Sequence, residues 1–254
     1  MRRSVFAALA SLFPLACLSA SPAWADCAPQ TFDGGRYTVC AFDPARDDIR
    51  LFWKGVDDKP YGSLAALADA LSARGERLVF AMNAGMFAED QSPVGLYIEN
   101  RVRLHAADTR VGASNFHMKP NGVFWVGGGT AGVTETDRYL ASSPPARYAT
   151  QSGPMLVVDG EINPRIRPNG TSAKIRNGVG ACGNGAIIFA IAEEPVTFDA
   201  FARLFRDGIG CSNALFLDGS VSSLYAPELK RDDELERIGP IVGVVRPEAM
   251  GTSQ

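Results

Sequence analysis

The stretch Asn213-Ala-Leu-Phe-Leu-Asp-Gly-Ser-Val-Ser-Ser-Leu-Tyr225 is a short apolar run that ends in a carboxylate, a glycine and three serines. An apolar run of this length bounded by turn residues reads as a buried strand, so Asp218 stands where that strand leaves the core and can reach a cleft. Upstream, Thr197 reads as the N-cap of a helix carrying Phe198, Phe201, Leu204 and Phe205, with Gly208 as its stop. Residues 186–192 form a further apolar strand before it. The unit is strand, helix, strand and a small polar loop.

The same grammar occurs earlier in the chain. Strands are expected at 36–42 and 49–53. Ser63 then caps a helix with Leu64, Leu67, Ala68 and Leu71 on one face and Gly75 as its stop, and a strand at 78–82 ends in Asn83-Ala-Gly85. If each helix crosses over between parallel neighbours, both polar loops open at carboxyl ends of strands, and Asn83 and Asp218 converge on one cleft. Residues 95–98, 122–126 and 155–158 are more strands, punctuated by Gly127-Gly128-Gly129 and Asp159-Gly160. The charged stretch 228–237 reads as a solvated helix or loop. No low-complexity linker interrupts this pattern, and the expectation is an α+β fold: one domain with a mixed β-sheet core and a few packed helices.

The first 25 residues have a basic start at Arg2-Arg3, an apolar run and the small-residue pattern Ala23-Trp24-Ala25. This order describes a secretory signal peptide, the run being too short and wrongly flanked for a stable membrane span. Residues 26–254 are then the mature domain, beginning at Asp26, and a periplasmic or secreted location is expected. Cys17 leaves with the signal, lipid modification of it being the alternative. Cys27, Cys40, Cys182 and Cys211 remain, an even number that implies two disulfides with three possible connectivities. Cys27–Cys40, closing a hairpin around Gly34-Gly35, and Cys182–Cys211, tying strands that flank a helix, are favoured over four free thiols. The absence of C-x-x-C argues against zinc. A net charge of −3 gives no basic stripe, which argues against a nucleic-acid partner.

Five polar, glycine-bearing segments interrupt the apolar strands: Asn83-Ala-Gly-Met-Phe87, Pro120-Asn-Gly-Val-Phe124, Gln151-Ser-Gly-Pro-Met155, Arg176-Asn-Gly-Val-Gly180 and Leu217-Asp-Gly-Ser-Val-Ser222. Their order and content resemble the phosphodiester glycosidase family, over about residues 78–245. The pairing of the Arg176 and Asp218 segments is the strongest match. Two features depart from the family pattern: Gly219-Ser220-Val221-Ser222 replaces a longer glycine run, and Arg176-Asn177-Gly178 replaces an Arg-Thr-Ala-type motif. Both departures look like a bacterial, exported subgroup.

The resemblance implies a small-molecule or glycan substrate carrying a sugar-1-phosphodiester. A phosphate monoester is a good leaving group, so the site needs chiefly a cation for the phosphate and a carboxylate to activate water or attack the anomeric carbon. Arg176 supplies the cation, helped by backbone N–H groups around residues 178–180, and Asp218 is the base or nucleophile. Asn83, Asn121 and Gln151 are expected to bind sugar hydroxyls or an acetamido group. Gly85, Ser152, Gly153, Asn177 and Gly219 belong to the same binding segments, and Ser220 and Ser222 contact the phosphate or orient the carboxylate. Glu89 and Asp90 are the nearest second carboxylates. Phe87, Phe124 and Tyr225 could stack on a sugar. No cofactor is expected, with a divalent ion at Asp218 left open.

Two other function classes fit the same residues. A serine hydrolase would use Ser220 or Ser222 with His105 or His117, although no G-x-S-x-G elbow is present. A carbohydrate-binding module of the cell envelope would hold sugar phosphates without turnover, and its binding would survive Asp218→Asn.

Overall fold

The computed structural model describes residues 27–183, 185–233 and 237–248. The signal-peptide reading, Cys17 and the Asp26 start lie outside these residues. In chain order the elements are β1 (Cys27–Phe32), β2 (Gly35–Phe42), β3 (Asp48–Phe52), α1 (Leu64–Ser72), β4 (Glu76–Asn83), β5 (Tyr97–Glu99), β6 (Val102–His105), β7 (Gly122–Gly127) and β8 (Thr130–Glu135). Next come α2 (Thr136–Ser142), β9 (Tyr148–Ser152), β10 (Met155–Val158), β11 (Glu161–Ile162), β12 (Asn177–Cys182) and β13 (Ile187–Ala192). Helix α3 (Phe198–Arg203) continues as a π-helical segment, Leu204–Ile209, into β14 (Cys211–Asp218), followed by β15 (Leu224–Ala226), β16 (Arg231–Asp232) and β17 (Ile241–Pro247).

Both expected helix caps form. Ser63 Oγ accepts from the Ala66 N–H at 3.1 Å and Thr197 Oγ1 from the Ala200 N–H at 3.2 Å, each satisfying a donor of the first turn. The second helix does not stop at Gly208. Its π-helical segment carries it to Gly210, whose φ of 84° is the left-handed conformation that ends it. Asp159 and Gly160, both at positive φ, make the tight turn between β10 and β11.

The fold is mostly β, with a few short helices. A seven-stranded sheet runs β1-β2-β13-β12-β14-β10-β11, and two five-stranded sheets run β16-β15-β4-β17-β3 and β6-β5-β9-β7-β8. Every ladder among the described residues is antiparallel, which corrects the expected mixed sheet. The crossovers exist, but their strands are not neighbours. β13 and β14 run parallel to each other on either side of antiparallel β12, and β3 and β4 do the same around β17. The reason is that the Arg176 segment and residues 241–247, neither of them read as strands, insert between the crossover pairs.

One core lies between the sheets and draws on all three, with Phe42, Phe80, Phe124 and Phe189 packed ring on ring at its centre. A second lies under α3 and a third under α1. β14 serves two of them, turning Leu215 and Leu217 inward and Ala214 and Phe216 toward α3. A strand covered on both faces must be apolar at every position, hence its unbroken run. Both favoured disulfides form, Cys27–Cys40 across β1 and β2 and Cys182–Cys211 across β12 and β14.

Helix α3 sits close on β12 because residues 178 and 180 are glycines. A Cβ at Gly180 would stand 2.7 Å from Cys211 Sγ and 2.8 Å from Phe205 Cδ1. Gly180→Ala is expected to lower stability by about 1–3 kcal/mol through overpacking, measured as a fall in the urea midpoint with the disulfides intact.

Candidate active site

Asp218 is the last residue of β14 and is only 7 % exposed. The chain turns back on it at once, and Oδ1 accepts the N–H groups of Gly219 at 2.5 Å and Ser220 at 2.7 Å. Burial pushes its pKa above the usual value, while these backbone donors and that of Val221 pull it down. The result is a dehydrated carboxylate of enhanced basicity.

Arg176 immediately precedes β12 and is 1 % exposed. Its Nε donates to the Val196 carbonyl at 2.9 Å and Nη2 to the Ser172 carbonyl at 2.7 Å, and the guanidinium lies 3.6 Å over the Phe198 ring. Among the described residues no carboxylate pairs with it, and Nη1 donates no hydrogen bond. Desolvation lowers its pKa to about 10, so it stays cationic at neutral pH. Gly219 keeps this nitrogen uncovered: a Cβ there would be 3.4 Å from Nη1 and 3.1 Å from the Phe216 ring.

Both charges line one cavity of about 600 Å³, a volume within the range of small-molecule sites. Segments 86–89, 114–117, 172–176 and 216–221 contribute to its walls. Glu89 lines it, whereas Asp90 does not and instead caps its own turn through Ser92. Of the three expected aromatic platforms only Phe87 reaches it. Phe124 is in the central core and Tyr225 packs with the α1 cluster. Sequence reasoning missed Lys174, Ser172, Ser114, Asn115, Phe116 and Phe216. The signal at hand was His117, one of two histidines in the chain, which lines the cavity beside Phe116.

The remaining motif residues stand behind the wall. Asn177 Nδ2 donates to the Asn83 carbonyl at 2.9 Å and to Asn83 Oδ1 at 3.0 Å, while Asn177 Oδ1 accepts the Asp218 N–H at 2.9 Å and the Ser222 hydroxyl at 3.2 Å. Asn83 Oδ1 also takes the Ser223 N–H at 3.1 Å. Gln151 accepts from the N–H groups of Leu96 and Asp108 and donates to the Asp108 carbonyl. Asn121 bridges the Phe116 carbonyl and the Thr136 hydroxyl, and Ser152 donates to the Leu217 carbonyl. A Cβ on Gly153 would strike Asn121, and one on Gly85 would press on Thr150. Most polar atoms of these side chains are engaged within the wall and frame the cavity, the exception being Asn83 Nδ2, which is buried with no hydrogen-bond partner among the described residues. Only Gly219 and Ser220 of the expected binding set line the cavity.

Residues 178–180 are likewise unable to donate to a phosphate from the cleft, since they form the centre of a strand paired on both sides. Ser222 Oγ is buried among the Ile175 carbonyl, the Asp218 carbonyl and Asn177 Oδ1. Neither Ser222 nor Ser220 meets a histidine among the described residues, which removes the constellation that a serine hydrolase using them requires. No group of three or more metal-ligating side chains occurs among the described residues, nor a helix long and apolar enough to cross a membrane.

Sheets of antiparallel strands carry to one cleft a dehydrated carboxylate and a buried arginine with no carboxylate partner among the described residues, within an α+β, mostly β, fold. Residues 76–244 match the family model described as phosphodiester glycosidase, and the chain belongs to that family. It is 36 % identical over 225 residues to the uncharacterized protein YigE of Escherichia coli (strain K12), covering 88 % of this chain and 85 % of that one. Among solved structures it is similar to the catalytic domain of zebrafish N-acetylglucosamine-1-phosphodiester alpha-N-acetylglucosaminidase, auto-inhibited by its pro-peptide, with a TM-score of 0.58, 15 % identity, and coverage of 86 % of this chain and 81 % of that one. A hypothetical protein from Synechocystis gives a TM-score of 0.55 at 14 % identity over 86 % of this chain and 61 % of that one. These two likenesses are of fold.

Two stability predictions follow from this geometry. Asn177→Asp places an oxygen against both acceptors of Asn83 and is expected to cost about 3 kcal/mol or more in chemical denaturation. Asp218→Asn acts in the other direction. The unfolded carboxyl titrates near 3.8 and the folded one higher, so ionised Asp218 costs stability at neutral pH. The variant should melt above wild type at pH 7, with the advantage shrinking as pH falls through the raised pKa and gone below about 3.8.

Proposed function

We propose that the chain is an exported hydrolase that cleaves the glycosidic bond of sugar-1-phosphodiesters of the N-acetylglucosamine-1-phosphodiester type. The observation that carries this reading is the juxtaposition in one cavity of Arg176, a buried cation with no carboxylate partner among the described residues, and Asp218. A buried charge is tolerated poorly unless it is paired, and a phosphate monoanion would complete Arg176. Family membership supports the reaction class. The two disulfides support an oxidising compartment, periplasmic or extracellular.

In this reading the phosphate sits against Arg176 Nη1, with Lys174 and the Ser220 hydroxyl beside it on the cavity wall. Grip on the phosphate lowers the energy of the departing monoester, so the anomeric carbon–oxygen bond breaks with little need of a strong acid. Asp218 attacks that carbon or takes the proton of the attacking water, and its raised pKa suits it to the second role. Glu89, the second carboxylate on the lining, assists water on the opposite side. Phe87 offers an apolar face to the sugar. No metal or other cofactor is needed for these steps.

The test is hydrolysis of an N-acetylglucosamine-1-phosphodiester by the mature protein, with and without chelator. Free sugar and phosphate monoester are expected, with Arg176→Ala and Asp218→Asn each losing at least ~100-fold in kcat/KM. The acid limb of the kcat/KM profile should fall above 3.8, the ordinary value for the Asp218 carboxyl. Binding of sugar phosphate without turnover, surviving in Asp218→Asn, would instead mark a carbohydrate-binding module. Inorganic phosphate should also raise the Tm of wild type and leave that of Arg176→Ala unmoved.

A further inference from the structure

One wall of the cavity carries polar chemistry that the phosphodiester reaction does not use. Residues 114–117 form a turn closed by the His117 N–H on the Ser114 carbonyl at 3.1 Å. Within it Ser114 Oγ lies 2.8 Å from His117 Nδ1, and His117 Nε2 lies 3.0 Å from Asp108 Oδ2. Ser114 is exposed, His117 is partly so, and both line the cavity, while Asp108 is buried behind them. We propose that Ser114, His117 and Asp108 form a second hydrolytic centre, a nucleophilic serine that cleaves short carboxylic esters.

Asp108 is held through both its carboxylate and its backbone. Arg110 pairs with both of its oxygens, which keeps Asp108 ionised well below the usual carboxylate range, and the Gln151 amide accepts the Asp108 N–H and donates to its carbonyl. Arg110 is itself exposed, so water screens its field and leaves the carboxylate able to support a charged imidazole. A carboxylate can only accept, so neutral His117 carries its proton on Nε2 and offers the Nδ1 lone pair to the Ser114 hydroxyl. The two ring nitrogens exchange the roles they have in the Ser-His-Asp template, but the logic of nucleophile, base and orienting acid is the same. The N–H groups of Asn115 and Phe116, next to the nucleophile, donate no hydrogen bond among the described residues and can receive an oxyanion. Met86, Phe87, Val94 and Phe116 supply an apolar lining for a short acyl chain.

The step balances without a further reagent. Ser114 Oγ bonds to the ester carbonyl carbon as its proton passes to His117 Nδ1, the alcohol leaves with that proton, and an acyl-serine remains. Water then attacks the acyl carbon, giving its proton to Nδ1. The bond to Oγ breaks, the carboxylic acid departs and Ser114 recovers its proton.

The test treats the mature protein with a fluorophosphonate probe, maps the adduct by peptide mass spectrometry, and follows hydrolysis of p-nitrophenyl acetate and butyrate. The expected adduct is on Ser114. Ser114→Ala abolishes it and lowers ester turnover at least ~100-fold, His117→Gln slows labelling and turnover by a similar factor, and Ser212→Ala changes neither. Ser114 is an exposed side chain, so an unchanged Tm for Ser114→Ala separates lost chemistry from lost fold. Absence of an adduct on wild type, an adduct on Ser220, or full ester turnover in Ser114→Ala would overturn the proposal. Neither assay involves a phosphodiester, so these outcomes leave the reading of Arg176 and Asp218 standing or falling by its own assay.

Discussion

The amide of Asn177 is the joint on which the site depends. Its NH₂ end is spent on Asn83, at the end of β4, and its oxygen on the N–H of Asp218, at the end of β14. The strand ends belong to different sheets, and their separation is set by the span of one planar side chain. A buried amide with both ends occupied tolerates neither a shift of the sheets nor an exchange of oxygen for nitrogen, because each leaves an unpaired group away from water. Ser222 and Ser223 close the same network from the loop that follows Asp218. The position of the Asp218 carboxylate is therefore a property of how two sheets meet.

Around that joint the protein holds two charges at a cost. Arg176 is fixed by two carbonyls and an aromatic face, and Asp218 by backbone N–H groups, yet burial works against ionisation of both. Neutral partners orient these groups without cancelling their charge, which leaves each able to act on a third species. The Asp108 side of the cavity follows the opposite rule: there Arg110 pairs directly with the carboxylate and holds it anionic. One cavity thus combines a wall of unpaired charge with a wall organised around an ion pair.

Much of this could be read in the chain because it rests on local chemistry. Ser63 and Thr197 accept from the first turns of their helices as their types predict, and the apolar run before Asp218 is a strand buried on both faces. The motif residues do gather at one site, but mostly as its frame. Amides beside glycine look alike in sequence whether they face a ligand or a neighbouring carbonyl, and Gln151, Asn121 and Asn177 do the latter. The Arg176 segment misled in a related way, since glycines 178 and 180 serve the packing of α3 on a paired strand.

The sequence by itself determined the two capped helices and the apolar strands beside them, the cysteines available for pairing and the carboxylate at the end of its strand, since caps, periodicity and turn residues act over a few positions. Only the tertiary structure decided that β12 and β17 lie between the crossover strands, that Glu89 and not Asp90 faces the cavity, and that His117 joins Ser114 to Asp108. Those outcomes depend on contacts between residues far apart in the chain or on which way a loop turns. They are fixed by the burial of apolar faces and the pairing of every strand, conditions that no short segment can satisfy alone.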